Sequence, residues 1–88
     1  MNTIRIDITN IQTVKALHVY LAWRLELPDY YGKNLDALHD LLGECAGGKR
    51  IVLAGSPASE EMAAYLPRLC RVLDDCVQEG SIAACVRG

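Results

Sequence analysis

The 88-residue chain has no phenylalanine and only three prolines. Its longest apolar runs, such as Val19–Trp23, have five residues. A helix that crosses a membrane needs about 20 apolar residues, so the sequence predicts no membrane span. The first ten residues include Arg5 and Asp7 and no apolar block, which predicts a cytoplasmic chain without a signal peptide. The length is that of a small domain, and we predict a single domain over residues 1–88.

The sequence also lacks an excess of basic residues and the motifs of common catalytic or metal sites. Nine lysines and arginines against eleven acids give a net charge of −2, which argues against direct binding of nucleic acid. The four cysteines form no CxxC pair and the two histidines stand apart, so we predict reduced thiols and neither a metal nor a cofactor. There is no glycine-rich phosphate loop, HExxH or Ser/His/Asp signature, and we predict that the chain is not an enzyme.

Hydrophobic periodicity predicts an α/β fold with the element order β-α-α-β-α-α-β. Because each strand returns through helices, we expect a three-stranded parallel sheet packed with about four helices. The polar residues before three of the helices are plausible N-caps. The predicted elements are a strand over 2–9, a helix from the cap Thr13 to Leu27, a helix from the cap Asn34 to Leu42 or Gly43, a strand over Arg50–Ala54, helices over 58–66 (capped by Ser56) and 67–79 (begun by Pro67), and a strand over 81–86.

Acidic residues concentrate in the segment 26–44, which has five carboxylates against one lysine and a net charge of −4, whereas the rest of the chain carries +2. At about 100° per residue, Asp36 and Asp40 lie together on the second helix, away from Leu38 and Leu42. Aspartate is a poor residue for a helix interior, and like charges one turn apart repel each other. The pattern fits either a solvated helix face or an acidic surface that binds a basic partner.

Two tyrosines, Tyr30 and Tyr31, precede this helix in a loop with Gly32. Loop tyrosines often anchor protein interfaces because they combine an apolar ring with a polar tip. We predict that one of the two rings is buried against the helices and that the other is presented to a partner. Trp23, on the first helix, is predicted to belong to the core. Three cysteines are predicted to pack as small apolar side chains: Cys70, Cys76 and Cys85.

The run LELPDYYGKNLDALHD, over 25–40, resembles the signature segment of the barstar family of intracellular inhibitors of barnase-type secreted bacterial ribonucleases. The fold of that family is a three-stranded parallel sheet with packed helices, which agrees with the predicted element order. The resemblance implies that the second helix and its preceding loop plug the active site of a ribonuclease, with carboxylates where RNA phosphates would bind. His39 stands where the family usually has a tryptophan.

The resemblance also implies which residues contact the partner. Asp40 matches the central acid of the family, and Asp36 matches the acid one turn earlier. Tyr30 matches the loop tyrosine that packs on the catalytic histidine of the enzyme. Asp75 falls at an acidic contact position in the last helix, with Glu79 one turn on. The implied partner-binding residues are Tyr30, Tyr31, Gly32, Asn34, Asp36, His39, Asp40, Gly43, Asp75 and Glu79.

We therefore predict a protein inhibitor, or immunity protein, of a barnase-like extracellular ribonuclease or related toxin, and a monomer when free. The alternative is a barstar-fold interaction or immunity module with a different basic partner, which need not be a nuclease. Phosphate mimicry distinguishes the two, because only a nuclease site requires carboxylates in the positions of phosphates. A small enzyme is a third class of function, but no set of residues in the sequence supports it.

Overall fold

The computed structural model describes residues 2–87 and contains one sheet of three parallel strands, arranged in their sequence order. It confirms the predicted α/β fold, with three helices instead of about four. Within the described residues, no helix has the length and hydropathy to cross a membrane. The elements are β1 (Thr3–Asp7), α1 (Val14–Arg24), α2 (Leu35–Cys45), β2 (Arg50–Ala54), α3 (Glu60–Gln78) and β3 (Ala84–Arg87).

The alternation of side chains along β1 places the core on one face of the sheet. Ile4 and Ile6 are buried, as is Ile8 just after the strand, whereas Arg5 and Asp7 are exposed. This is the period of two that a strand with one buried face requires. The hydrophobic core therefore lies between this face and the helices. The register pairs Thr3–Asp7 with Arg50–Ala54, and Arg50–Leu53 with Ala84–Arg87.

The last two predicted helices are in fact one, because α3 runs without interruption through Pro67. We expected a new helix to begin there, since proline lacks the amide hydrogen that a helix interior needs. One apolar stripe that includes Met62, Leu69 and Leu73 is buried on both sides of the proline at helical spacing. Burial of this stripe stabilises the continuous helix more than Pro67 destabilises it locally.

Polar N-caps set where the helices begin. Thr13 and Asn34 cap α1 and α2, as predicted, and each side chain accepts a hydrogen bond from the amide three residues later. The cap of α3 is Ser59 and not the predicted Ser56, because the Ser59 hydroxyl accepts a hydrogen bond from the Met62 amide at 3.1 Å. The third helix therefore begins at Glu60, three residues after Pro57, rather than directly at that proline.

The end of α3 explains why the last strand begins later than the predicted Ser81. Gly80 has a φ of 81°, which glycine adopts without strain. The amides of Gly80 and Ser81 donate hydrogen bonds to the carbonyls of Val77 and Cys76. This pair of bonds is a Schellman motif, which closes the helix. Because the Ser81 amide is hydrogen-bonded to the end of α3, Ser81 is not part of the strand, which begins only at Ala84.

Helix α2 continues to Cys45, two residues beyond the predicted end at Gly43. A Cβ atom added at Gly43 would lie 3.5 Å from the Ser81 hydroxyl oxygen, which is ordinary van der Waals contact. Gly43 lies within α2, and its closeness to Ser81 places the helix against the turn that follows α3. The amide of Ala46 still donates to the Leu42 carbonyl at 2.8 Å, which closes the last turn of α2.

Trp23 is 73% exposed, so the prediction that it belongs to the core is wrong. Helix α1 buries Leu17 and Leu21, and the stripe continues to Leu25 just past the helix end. At 100° per residue, Trp23 lies about 200° around the helix from Leu21, on the opposite side. Its ring instead packs beside that of Tyr20, with the ring centroids 6.1 Å apart.

The four cysteines are free thiols in the structure. Cys70 and Cys76 are buried, as predicted, whereas Cys85 is half-buried because its strand β3 lies at an edge of the sheet. Burial raises the pKa of Cys76 to about 11, so this thiol stays protonated at neutral pH. Cys76 therefore acts as a small apolar side chain in the core.

Candidate binding surface

Helix α2 presents two carboxylates to solvent on the side opposite its buried leucines. Leu38 and Leu42 are fully buried, whereas Asp36 and Asp40 are exposed, and 84% of the Asp40 side chain is accessible. The helix dipole stabilises Asp36 in the first turn, but Asp40 lies beyond that turn. Within residues 2–87, neither carboxylate forms an ion pair with a lysine or arginine. Both are therefore accessible to cationic donors of another molecule.

The loop before α2 separates its two tyrosines, as predicted, because Tyr30 is 76% exposed and Tyr31 is 5% exposed. Lys33 has a φ of 56°, so the backbone turns sharply before the helix. Asn34 joins the loop to α2, since its Oδ1 accepts from an amide of the first helical turn and its Nδ2 donates to the Gly32 carbonyl at 3.2 Å. Of the two tyrosines, only Tyr30 presents its ring to solvent.

Tyr31 is held by His18, a buried histidine of α1 that the sequence analysis missed. His18 Nδ1 lies 2.5 Å from the Tyr31 hydroxyl, and His18 Nε2 lies 2.8 Å from the Tyr65 hydroxyl. Burial lowers the pKa of His18. The neutral imidazole has one donor and one acceptor nitrogen, which two hydroxyls can satisfy. Helical geometry gave a signal for this residue, because His18 lies about 60° around α1 from the buried Leu21.

The hydrogen bonds that join His18 to Tyr31 and Tyr65 hold the loop before α2 in place on its buried side. Tyr31 comes from the loop, His18 from α1 and Tyr65 from α3, so three segments meet at one polar cluster. Burial also raises the pKa of Tyr31, so its hydroxyl stays protonated. All buried side-chain nitrogens and oxygens of the described residues have hydrogen-bond partners, which keeps such a cluster stable inside a core. The position of Tyr30 therefore depends on residues that lie outside the exposed surface.

His39 connects α2 to α3 at the border of the two α2 carboxylates. Its Nε2 lies 2.9 Å from Glu79 Oε1, and its Nδ1 lies 3.8 Å from Asp40 Oδ1. The hydrogen bond and the charge of Glu79 raise the pKa of His39, and Asp40 adds a smaller effect in the same direction. When it is protonated, His39 pairs with a carboxylate on each side and links the two helices.

We expect His39 to stabilise the fold more at low pH than at high pH. Its folded-state pKa lies above the unfolded value of 6.5, so its contribution is complete below pH 6.5 and is lost as the pH rises through the folded-state pKa. Urea unfolding should show a larger difference between the protein and His39→Gln at about pH 5.5 than at about pH 8.5. The effect should stay below about 1 kcal/mol because the pair is largely solvated.

The parent protein and His39→Gln both contain His18, whose lowered pKa gives the unfolding free energy the opposite pH dependence. Protonation of that buried histidine destabilises the fold as the pH falls below 6.5, but the effect cancels in the difference between the two proteins. Glu79→Gln serves as a matched control, since it should remove most of the same pH dependence. A difference in unfolding free energy that is equal at both pH values would contradict the His39–Glu79 pair.

The two α3 acids of the predicted site extend the acidic surface, which we define as Asp36, Asp40, Asp75 and Glu79. Asp75 and Glu79 are exposed and lie one turn apart on α3. The contact with His39 brings Glu79 to α2 directly, whereas Asp75 is placed near it only by helical spacing. Among the described residues, no group of three or more His, Cys, Asp or Glu side chains is arranged to hold a metal ion.

Comparison with known proteins agrees with this architecture. The chain matches the family described as Barstar (barnase inhibitor) over residues 1–84, and it belongs to that family. A Bacillus subtilis (strain 168) protein with the name "Putative ribonuclease inhibitor YrdF" is 48% identical over 42 residues. Those residues are 48% of this chain and 46% of the relative, so the match spans about half of that relative's length.

Proposed function

We propose that the chain inhibits a barnase-type bacterial ribonuclease by covering its active site with α2 and the preceding loop. The observation that carries this proposal is the exposure of Asp36 and Asp40 on one helix face, together with the exposed ring of Tyr30 in the preceding loop. Membership of the barstar family supports a ribonuclease as the partner. In this proposal the chain is a cytoplasmic monomer when free, and it is an immunity protein for the cell that secretes the enzyme.

The chemistry of the partner explains why carboxylates suit this surface. A ribonuclease active site binds phosphates, so it offers arginine, lysine and histidine donors. A carboxylate can take the place of a phosphate because both accept paired, charge-assisted hydrogen bonds from a guanidinium group. Asp36 and Asp40 are one turn apart, about 5–6 Å between Cβ atoms, so each can bind a different donor. The helix holds both in place before binding, which reduces the entropy lost in the complex.

Tyr30 adds an exposed aromatic ring in the loop that precedes α2. In the proposed complex this ring covers a catalytic histidine of the enzyme and excludes water from the nearby ion pairs. The buried network of His18, Tyr31 and Tyr65 holds the loop, so little loop ordering is needed when the partner binds. In the proposed complex, Tyr31 therefore anchors the loop and Tyr30 contacts the partner.

The remaining residues of the proposed interface lie around this centre. Gly32 and Asn34 shape the loop through the hydrogen bond from Asn34 Nδ2 to the Gly32 carbonyl. His39, Asp75 and Glu79 form the border on the α3 side, where exposed charges steer association more than they add affinity. Gly43 lies on α2 near Ser81 of the turn after α3, and Tyr31 contributes by anchoring the loop. These roles are consistent with a central helix supported by a charged rim.

Inhibition of a barnase-type ribonuclease in an RNA hydrolysis assay tests the proposal. We expect activity to be abolished at a 1:1 molar ratio, and we expect a nucleotide bound in the active site to compete with the inhibitor. Affinity should fall with salt, because the screening length shortens from about 10 Å at 0.1 M to about 3 Å at 1 M ionic strength. Full enzyme activity in the presence of a large molar excess of the protein would reject this partner and favour a basic partner of another class.

A further inference from the structure

A groove of about 500 Å³ opens between α3 and β3. This volume is within the range of pockets that bind specific ligands. The groove is centred about 130° around α3 from Asp75 and Glu79, and Arg71 at its rim lies about 40° from Asp75, one turn before it. Most of the groove therefore lies outside the acidic surface. Its floor is apolar and its rim carries charged side chains. The lining includes Leu66, Pro67, Cys70, Arg71, Asp74 and Arg87.

Strand β3 borders this groove through Arg87 and lies at an edge of the sheet. Within residues 2–87, β3 pairs only with β2, so no strand covers its outer side. An edge strand presents unpaired amide and carbonyl groups, which are a template for another strand. An apolar groove therefore lies at the end of a strand with an open backbone edge, and extended peptides add a strand to such edges in other proteins.

Pro67 adds a further backbone acceptor on the α3 side of the groove. It has no amide hydrogen, so it cannot donate to the carbonyl of Ala63, the residue one helical turn earlier. Both residues line the groove. The continuous α3 thus leaves one carbonyl at the groove without its helical donor. A partner that offers an amide hydrogen can bind there.

The charges at the rim favour an acidic partner. Arg87 is engaged within the chain, because its Nη2 lies 3.4 Å from Asp74 Oδ2 and its Nε donates to the Cys70 sulfur at 3.3 Å. Arg71 is exposed and forms no ion pair with any of the residues 2–87. Two arginines against one aspartate leave the rim with a net positive charge. A carboxylate of a bound segment would therefore find Arg71 available.

We propose that this groove binds an extended, acidic peptide segment of another protein, which adds a strand to β3. In this arrangement an apolar side chain of the peptide packs on Leu66, Pro67 and Cys70, and an acidic side chain pairs with Arg71. The proposal is independent of ribonuclease inhibition, since the groove is centred on a different side of α3 from the acidic surface. The chain would then bind two partners at the same time.

Selection from a random heptapeptide display library tests the proposal with the whole chain as bait. We expect enriched peptides that alternate apolar and other residues and include Asp or Glu. Ala63→Trp, which fills the groove, and Arg71→Glu should each weaken their binding about tenfold or more. The matched controls Ala64→Trp and Arg68→Glu change exposed residues of the same helix outside the groove, and they should bind as the parent does.

Alkylation by iodoacetamide gives a second readout, because bound peptide should slow the modification of Cys70 and leave that of Cys45 unchanged. Ribonuclease inhibition by Ala63→Trp should equal that of the parent, which separates this proposal from the proposed function. Failure to enrich peptides, or equal binding by Ala63→Trp and Ala64→Trp, would overturn the proposal. Sedimentation as a dimer that Arg71→Glu dissociates would also overturn it, because a second copy would then be the occupant of the groove.

Discussion

Asp40→Ala should weaken binding to a barnase-type ribonuclease by more than about a hundredfold. In the proposed complex the Asp40 carboxylate is buried against cationic donors of the enzyme. Removing one member of a buried ion pair leaves the other charge desolvated and unpaired, which costs about 3 kcal/mol or more. Calorimetric titration of the parent and the variant into the enzyme measures this loss directly.

Glu60→Ala is the matched control for the effect of charge alone. Glu60 is an exposed carboxylate in the first turn of α3, and Glu79 is at the other end of that 19-residue helix. At 1.5 Å per residue the two ends are separated by about 28 Å, so Glu60 lies far from the residues that contact α2. Both variants change the net charge equally, but only Asp40→Ala should alter affinity strongly. Equal losses would show that net charge, and not a specific carboxylate, determines binding.

The stability of the Asp40→Ala variant should be at least that of the parent. Asp36 and Asp40 repel each other across one helical turn, so removing one of them relieves a few tenths of a kcal/mol. Asp40 also forms no ion pair with a lysine or arginine among the described residues, and its distance to His39 is 3.8 Å. Urea unfolding of this variant therefore checks that a loss of binding is not a loss of folded protein.

Leu38→Ala should give the opposite result, with a loss of about 2–5 kcal/mol in the free energy of unfolding. Leu38 has no exposed surface, and its side chain lies in the core cluster beneath α2. Truncation removes buried apolar surface and leaves a cavity that the small core fills only partly. Because small domains are stable by only about 5–15 kcal/mol, this variant loses a large part of the total.

Leu35→Ala makes the same change on the same helix at a half-buried position. It should cost clearly less than Leu38→Ala, because less apolar surface is buried there and water can fill the space left. Where Leu38→Ala remains folded, its affinity for the ribonuclease should be close to that of the parent. Similar unfolding free energies for the two leucine variants would contradict the buried position of Leu38.

The local architecture of α2 could be predicted from its sequence because cap, stripe and charge all favour one arrangement. Asn34 caps the helix, Leu38 and Leu42 face the core, and Asp36 and Asp40 face solvent, as the spacing requires. The parallel sheet followed from the element order. The role of these carboxylates in binding stays a prediction, because exposure and charge do not identify a partner.

Other features depend on tertiary contacts that local patterns do not contain. Pro67 lies inside a helix because the apolar stripe is buried on both sides of it, and no local propensity shows this. His18 is paired with Tyr31 and Tyr65 across separations of 13 and 47 residues. The Glu79 contact of His39 likewise spans 40 residues. Trp23 is different, since its exposure followed from helical geometry alone.

The parallel topology also affects how the chain folds. Thr3 pairs with Arg50, 47 positions later, and Arg50 pairs with Ala84, 34 positions later, so the sheet contains no hairpin. Long loops must close before any strand pairing is gained, which slows folding relative to local structure. On the ribosome, α1 and α2 are complete before β2 has emerged, and the sheet lacks its third strand until Ala84–Arg87 is made. The segment that forms the acidic helix α2 is therefore synthesised well before the sheet that holds this helix in place is complete.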